Sequence, residues 1–241
     1  MKYLRFILLF NLLLSFSANA LLEVNILKSK EAAFPIVIAP FEVIGDSKDN
    51  VDIAKIIRDN LNRSGQFSAL STDSLVTNQI DFNFWKEHKK DAVVFGKVEQ
   101  ISPKVYNIYI YIYDVFSEKS LYQKKITVSN TGFRRMAHFL SDKIYYVLLG
   151  QKGSFNTRLS YVTVTDNNSG GRTYRLQISD SDGENPQTIV RQSNPILSPA
   201  WSKDQQKLAY VSFKNNRSEV FVMTPFLKTI PIKLPKFDGI A

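Results

Sequence analysis

The chain contains no cysteine, and only two histidines and two tryptophans, in 241 residues. Without cysteine there is no disulfide framework, no thiolate nucleophile and no sulfur ligand, so a chain bound for an oxidising compartment must be stable through packing alone. The two histidines, His88 and His138, have no Asp or Glu at ligand spacing on an evident shared face. Both read as surface or core residues. A Ser–His–Asp order, a nucleophile elbow and a glycine-rich phosphate cradle are also missing. Asp180-Ser181-Asp182-Gly183 opens like a calcium loop, but its glycine comes too early and no Glu closes the loop at its twelfth position. It reads instead as a turn between strands. The sequence therefore assigns no catalytic residue, no cofactor and no metal ligand.

Acidic residues are also short, at 22 Asp and Glu against 31 Lys and Arg, for a formal charge of +9. The surplus is scattered. Its densest points are Lys124-Lys125 and Arg134-Arg135, too little for the basic stripe of a nucleic-acid binder. A binding module for an anionic polymer stays open as a weaker reading. Beyond the N-terminus no apolar run reaches the roughly 20 residues that span a bilayer. At the N-terminus itself, Lys2 and Arg5 precede an apolar stretch from Phe6 to Phe16 and a small-residue site, Ala18-Asn19-Ala20. This is the layout of a cleaved signal peptide, with cleavage expected between Ala20 and Leu21 and no Cys there to carry a lipid. The mature chain is expected to be exported and not inserted in a membrane.

After the signal the pattern is mixed. Ile36-Val37-Ile38-Ala39, closed by Pro40, reads as a buried strand. A helix is expected from Val51 to Asn62, capped by Asp49 or Asn50. Its inner face would carry Ile53, Ile56, Ile57 and Leu61, with Arg58 and Asp59 turned outward and Ser64-Gly65 as the stop. Phe67 and Leu70 suggest a strand, Phe82 to Lys89 a short helix carrying Trp85, and Ala92 to Val98 a strand. Tyr106 to Tyr113 alternates with period two, and Lys124 to Val128 would pair with it through a turn near Ser117–Ser120. A second helix is expected from Phe133 to Leu149, with Met136, Phe139, Leu140, Ile144 and Val147 inward and Gly150 at its end.

From Gly153 onward only strands are expected. Leu197-Ser198-Pro199-Ala200-Trp201, a polar loop, Leu208-Ala209-Tyr210-Val211, a second polar loop and Glu219-Val220-Phe221-Val222-Met223 follow the grammar of a β-propeller blade. The blade has an upstream echo. Leu159–Thr163 matches Leu208–Ser212 at an offset of 49 residues, and Arg172–Ile178 matches Arg217–Met223 at 45. The domains expected are thus 1–20 signal peptide, 21–150 α/β domain and 151–241 partial propeller of about one and a half blades.

Taken in order, these segments resemble the TolB family, the periplasmic propeller proteins of the Tol–Pal system. The resemblance rests on Ile38-Ala39-Pro40-Phe41, Leu61 to Phe67, Asp91 to Val98, Thr157 to Val162, Ser179 to Gly183 and the Trp201 blade. It implies a non-enzymatic adaptor that works between the C-terminal domain of TolA and the peptidoglycan-associated lipoprotein Pal, supporting outer-membrane integrity and constriction at cell division. It also implies that the segment after the signal engages TolA. The matching residues are Leu22, Glu23, Val24, Asn25, Ile26 and Leu27, which alternate as an edge strand would, so strand addition is a reasonable mode. The family's propeller has nominally six blades and would carry the Pal site. One departure stands out: Ser202-Lys203-Asp204-Gln205 occupies the place of the family's Ser-Pro-Asp-Gly turn. The N-terminal part of an exported peptidase or glycan hydrolase carrying a propeller remains the alternative.

Overall fold

The computed structural model describes residues 33–45, 51–73, 76, 79–166, 170–214, 217–227 and 229–235. Its first half is a mixed sheet. Strands β1 (Phe34–Ile38), β2 (Glu42–Ile44), β3 (Phe67–Leu70), β4 (Ala92–Ser102), β5 (Val105–Asp114) and β6 (Ser120–Ser129) assemble in the order β3-β1-β4-β5-β6, with β2 also paired to β4. β1 runs parallel to both β3 and β4, and β4, β5 and β6 form an antiparallel meander. Helices α1 (Ile53–Arg63) and α3 (Phe133–Leu149) cover one face. The short α2 (Phe82–Glu87) places Trp85 against the other.

A sheet covered on both faces needs apolar residues at successive positions. β1 shows this directly. Ile36 and Ile38 join the core under α1 and α3, whereas Val37 and the following Ala39 join the opposite cluster with Val93, Phe95 and Val115. β5 sorts by chemistry: Ile108, Ile110 and Ile112 are fully buried toward the helices, while Tyr111 and Tyr113 stack with Phe95 on the far side.

The helix ends differ in detail from the sequence reading. α1 starts at Ile53, so the carboxylate able to reach the third helical amide is that of Asp52, which accepts from the Lys55 amide at 2.9 Å. Asp52, not Asp49 or Asn50, is the cap, a contribution of about 1 kcal/mol. Arg58 does not simply face solvent, because its guanidinium donates to the Ile38 carbonyl at 3.2 Å and ties α1 to the end of β1. In β3 the pleat sends Phe67 and Ala69 inward and leaves Leu70 half-exposed. On α3 the buried stripe is Phe133, Ala137, Leu140, Ser141 and Ile144, with His138 beside it. Phe139 falls off that stripe and is exposed. The helix closes on Gly150 at φ 69°, whose amide donates to the Tyr146 carbonyl at 2.9 Å.

The second half is built of strands, apart from one 3-10 turn at Pro225–Leu227. β7 (Arg158–Asp166), β8 (Arg172–Asp180) and β9 (Gln187–Gln192) form one antiparallel sheet. β10 (Ile196–Trp201), β11 (Leu208–Ser212), β12 (Glu219–Met223) and β13 (Ile232–Lys233) form the next. Leu176 and Ile178 from the first sheet meet Ile196, Leu208, Tyr210 and Met223 from the second in a shared core. Gln192 and Ser212 exchange hydrogen bonds across the two sheets at 2.9 and 3.1 Å. The internal repeat is realised: β7 and β8 stand where β11 and β12 stand one sheet later. The fold is an α/β domain followed by the beginning of a propeller whose sheets do not close into a ring.

The altered turn between β10 and β11 keeps its shape. The Gln205 amide donates to the Ser202 carbonyl at 2.8 Å, and Gln205 itself sits at φ 58°. The Ser202 hydroxyl and the Gln206 amide both donate to the Asp204 carboxylate, which fixes the loop without a Pro or a Gly. A non-glycine residue at that φ is strained, and proline suits the second position of such a turn. Lys203→Pro combined with Gln205→Gly is therefore expected to stabilise the chain by about 1 kcal/mol. A rise in the urea midpoint at unchanged slope is the expected reading; no rise would mean that the polar loop has absorbed the strain.

Candidate functional site at the domain joint

The described residues cluster as one compact unit, and α3 is the element that ties its two halves together. Arg134 and His138 lie one turn apart on the same helix face. Both reach the turn after β8, the segment Asp180-Ser181-Asp182-Gly183 that reads in the sequence as a strand connection. The turn is such a connection, with the Gly183 amide on the Asp180 carbonyl at 3.0 Å and Gly183 at φ 87°. Its two carboxylates point at α3. Arg134 Nε donates to Asp180 Oδ2 at 3.1 Å, and Arg134 Nη2 pairs with Asp182 Oδ2. His138 Nε2 lies 3.6 Å from Asp182 Oδ2 and 3.9 Å from Asp180 Oδ2. One helical turn on, Asp142 accepts the backbone amides of Phe155 and Asn156 at 2.7 and 3.0 Å, and the Ser181 hydroxyl donates to the Phe155 carbonyl. The connection between the halves is thus held from both sides.

His138 has no partner legible in the sequence, because its carboxylates arrive from over forty positions away. Its surroundings fix its chemistry. Asn60, fully buried on α1, contacts His138 Nδ1 through Nδ2 at 2.9 Å and donates from the same nitrogen to Ser141 Oγ at 2.9 Å. The Asn60 carbonyl oxygen is taken by Arg63 Nη2 at 2.9 Å, which sets the amide's orientation. Nδ1 of His138 is then an acceptor, and the proton of the neutral ring sits on Nε2, facing the carboxylates. Burial, followed by opposition from the Asp182 and Asp180 charges and help from Arg134 and Arg63, leaves the imidazole below its usual pKa. Burial pushes Asp182 up, but the Arg134 hydrogen bond and the Glu184 amide outweigh it and hold the carboxyl low.

His138, Asp180 and Asp182 bring one nitrogen and two carboxylate oxygens within 4.8 Å of one another, a donor set a divalent cation could use. The network argues for another role. A metal needs Nε2 unprotonated, which would require Asn60 to turn over and abandon Arg63. Arg134 already pairs with both carboxylates. The arrangement is an ion-pair clamp between α3 and the first propeller sheet. His88, by contrast, is exposed and stacks on Phe84 of its own helix, with Nδ1 2.8 Å from the Phe84 carbonyl.

The signal segment and the expected partner-binding residues Leu22 to Leu27 lie outside the described residues. No helix among the described residues is long and apolar enough to cross a membrane.

Residues 22–121 match the TolB amino-terminal domain, and residues 145–239 match the TolB beta propeller domain. The Tol-Pal system protein TolB of Ruthia magnifica is 58% identical over 224 residues, which is 93% of this chain and 53% of that protein. Its counterpart in Vesicomyosocius okutanii is 53% identical over 92% of this chain and 52% of its own length. The crystal structure of TolB from Acinetobacter baumannii superposes with a TM-score of 0.74 at 32% identity, covering 86% of this chain and 50% of that one. The chain spans about half the length of these relatives. Two adjoining family models and a solved relative agree in the order of the two halves, and the chain belongs to the TolB family of Tol-Pal system proteins.

Proposed function

We propose that this chain is a periplasmic, non-enzymatic adaptor of the Tol–Pal system. The observation that carries the reading is the 58% identity to a Tol-Pal system protein over nearly the whole chain. The proposed mature protein begins at Leu21, with an α/β domain to residue 150 and propeller sequence from 151. Leu22, Glu23, Val24, Asn25, Ile26 and Leu27 would engage the C-terminal domain of TolA by strand addition, where backbone hydrogen bonds supply affinity and alternate side chains supply choice. The propeller would meet Pal. Together these contacts would support outer-membrane integrity and constriction at cell division.

Titration calorimetry with the TolA C-terminal domain tests this directly. The chain from Leu21 is expected to bind, and deletion of Leu22–Leu27 to weaken binding by about a hundredfold or more, the loss of a short strand's pairing. Unchanged affinity after the deletion would remove the site. No binding by the undeleted chain would remove the adaptor reading itself.

A further inference from the structure

We propose that the cleft between α3 and the first propeller sheet is a binding site for the carboxylate of an acidic peptide. It encloses about 640 Å³, within the range of ligand sites. Three arginines line it, and they are not equivalent. Arg134 is committed to Asp180 and Asp182. Asp180, the acidic residue lining the cleft, is further occupied by Asn185, which donates to it at 2.9 Å. Arg135 and Arg158 have no carboxylate within ion-pairing distance among the described residues.

Arg158 is half-buried, and its guanidinium carbon lies 3.9 Å from the centre of the Phe226 ring. Phe226 stacks in turn on Trp201, at 5.9 Å and 8°. No acceptor among the described residues takes the guanidinium N–H groups, whose fork a planar carboxylate meets with two parallel hydrogen bonds. Burial lowers the Arg158 pKa and Arg135 adds to the effect, against a smaller opposing pull from Asp180. Asp180 is paired with Arg134, so two further cations stand here without an ion-pair partner of their own, a place where a bound anion would be favoured. The walls suit a peptide: Phe226 and Ile178 are apolar, and the Gln187 side chain adds a hydrogen-bonding group for a backbone. Every residue invoked is among the described ones, so this site does not rest on the adaptor reading.

The test uses the chain from Leu21 with Trp85→Phe, so that fluorescence reports Trp201. The probes are a blocked tripeptide of two glutamates and a phenylalanine, its diglutamine counterpart, and inorganic phosphate. The diglutamate peptide is expected to bind with Kd of about 1 mM or tighter. Arg158→Met and Arg135→Gln are each expected to weaken it by about tenfold, the loss of a charge-assisted pair. Arg135 is exposed, so its variant keeps the test intact should Arg158→Met fail to fold. Equal binding of the diglutamine peptide, or binding unmoved by either substitution, would overturn the proposal. Phosphate binding as tight as the peptide's, with the same arginine dependence, would overturn the peptide assignment in favour of a small-anion site. No saturation by any probe would overturn the site altogether.

Discussion

Gly96→Ala is expected to destabilise the α/β domain by about 3 kcal/mol or more, the upper range for overpacking a closed core. Gly96 sits in β4, between β1 and β5 in the sheet order. A Cβ there would come closer than 3.0 Å to the Phe41 ring and to the Tyr109 carbonyl oxygen. The ring of Phe41 occupies the space a side chain would need, as aromatics do over strand glycines. One obstacle can rotate, but the other is the backbone of the paired strand. Adding Phe41→Ala is therefore expected to recover little of the loss, because the Tyr109 carbonyl remains and the ring's own packing is forfeited. Urea unfolding followed through Trp85, which packs on the opposite face of the same sheet, measures both changes. A loss under about 1 kcal/mol, or full rescue by Phe41→Ala, would show that the strand pair yields where the packing says it cannot.

Gly96 also shows where a sequence stops being informative. Its place in an apolar run is legible, since Ala92–Val98 reads as a strand on composition alone. That Phe41 folds over it is not, because the two residues meet only through a sheet order that no local pattern encodes. The same division runs through the chain. The bounds of α3 are local, carried by its apolar period and by Gly150, and the sequence states them. Which residues its inner stripe holds depends on the register of packing, so Phe139 turns out and His138 turns in. The repeat at 45 to 49 residues reveals the propeller strands because each sheet repeats the same local task. The clamp at the joint repeats nothing. Arg134 and His138 look like ordinary helix residues, and the Asp180 turn looks like an ordinary blade turn. Two signals could have linked them: a buried-type helix position filled by His, and a turn with more carboxylates than a hairpin needs. Neither is specific without the fold.

The clamp yields the second large effect. Asp182→Ala is expected to cost about 3 kcal/mol, because it strips Arg134 and His138 of a partner at a site only 13% exposed on the carboxylate side. The loss should be uneven. With Trp85 reporting the α/β domain and Trp201 the propeller strands, single-tryptophan variants of the wild type should unfold in coincident transitions. In Asp182→Ala the Trp201 transition should move to lower urea ahead of Trp85. Asp166→Ala, which breaks the exposed pair with Arg172, should shift neither. Acid should act on the same joint. The His138 pKa is lowered in the folded state, so the unfolded chain binds the extra proton first, and stability should fall as pH drops through the ordinary imidazole value near 6.5. The Asp182 pKa is also lowered, so its contribution is complete above the ordinary carboxyl value and disappears as pH falls below about 4. His138→Gln should flatten the upper step and leave the lower one. Coincident transitions in Asp182→Ala with a loss below about 1 kcal/mol would mean that the halves are coupled elsewhere, through Asp142 and the linker it holds, and that the carboxylates of the turn serve only the turn.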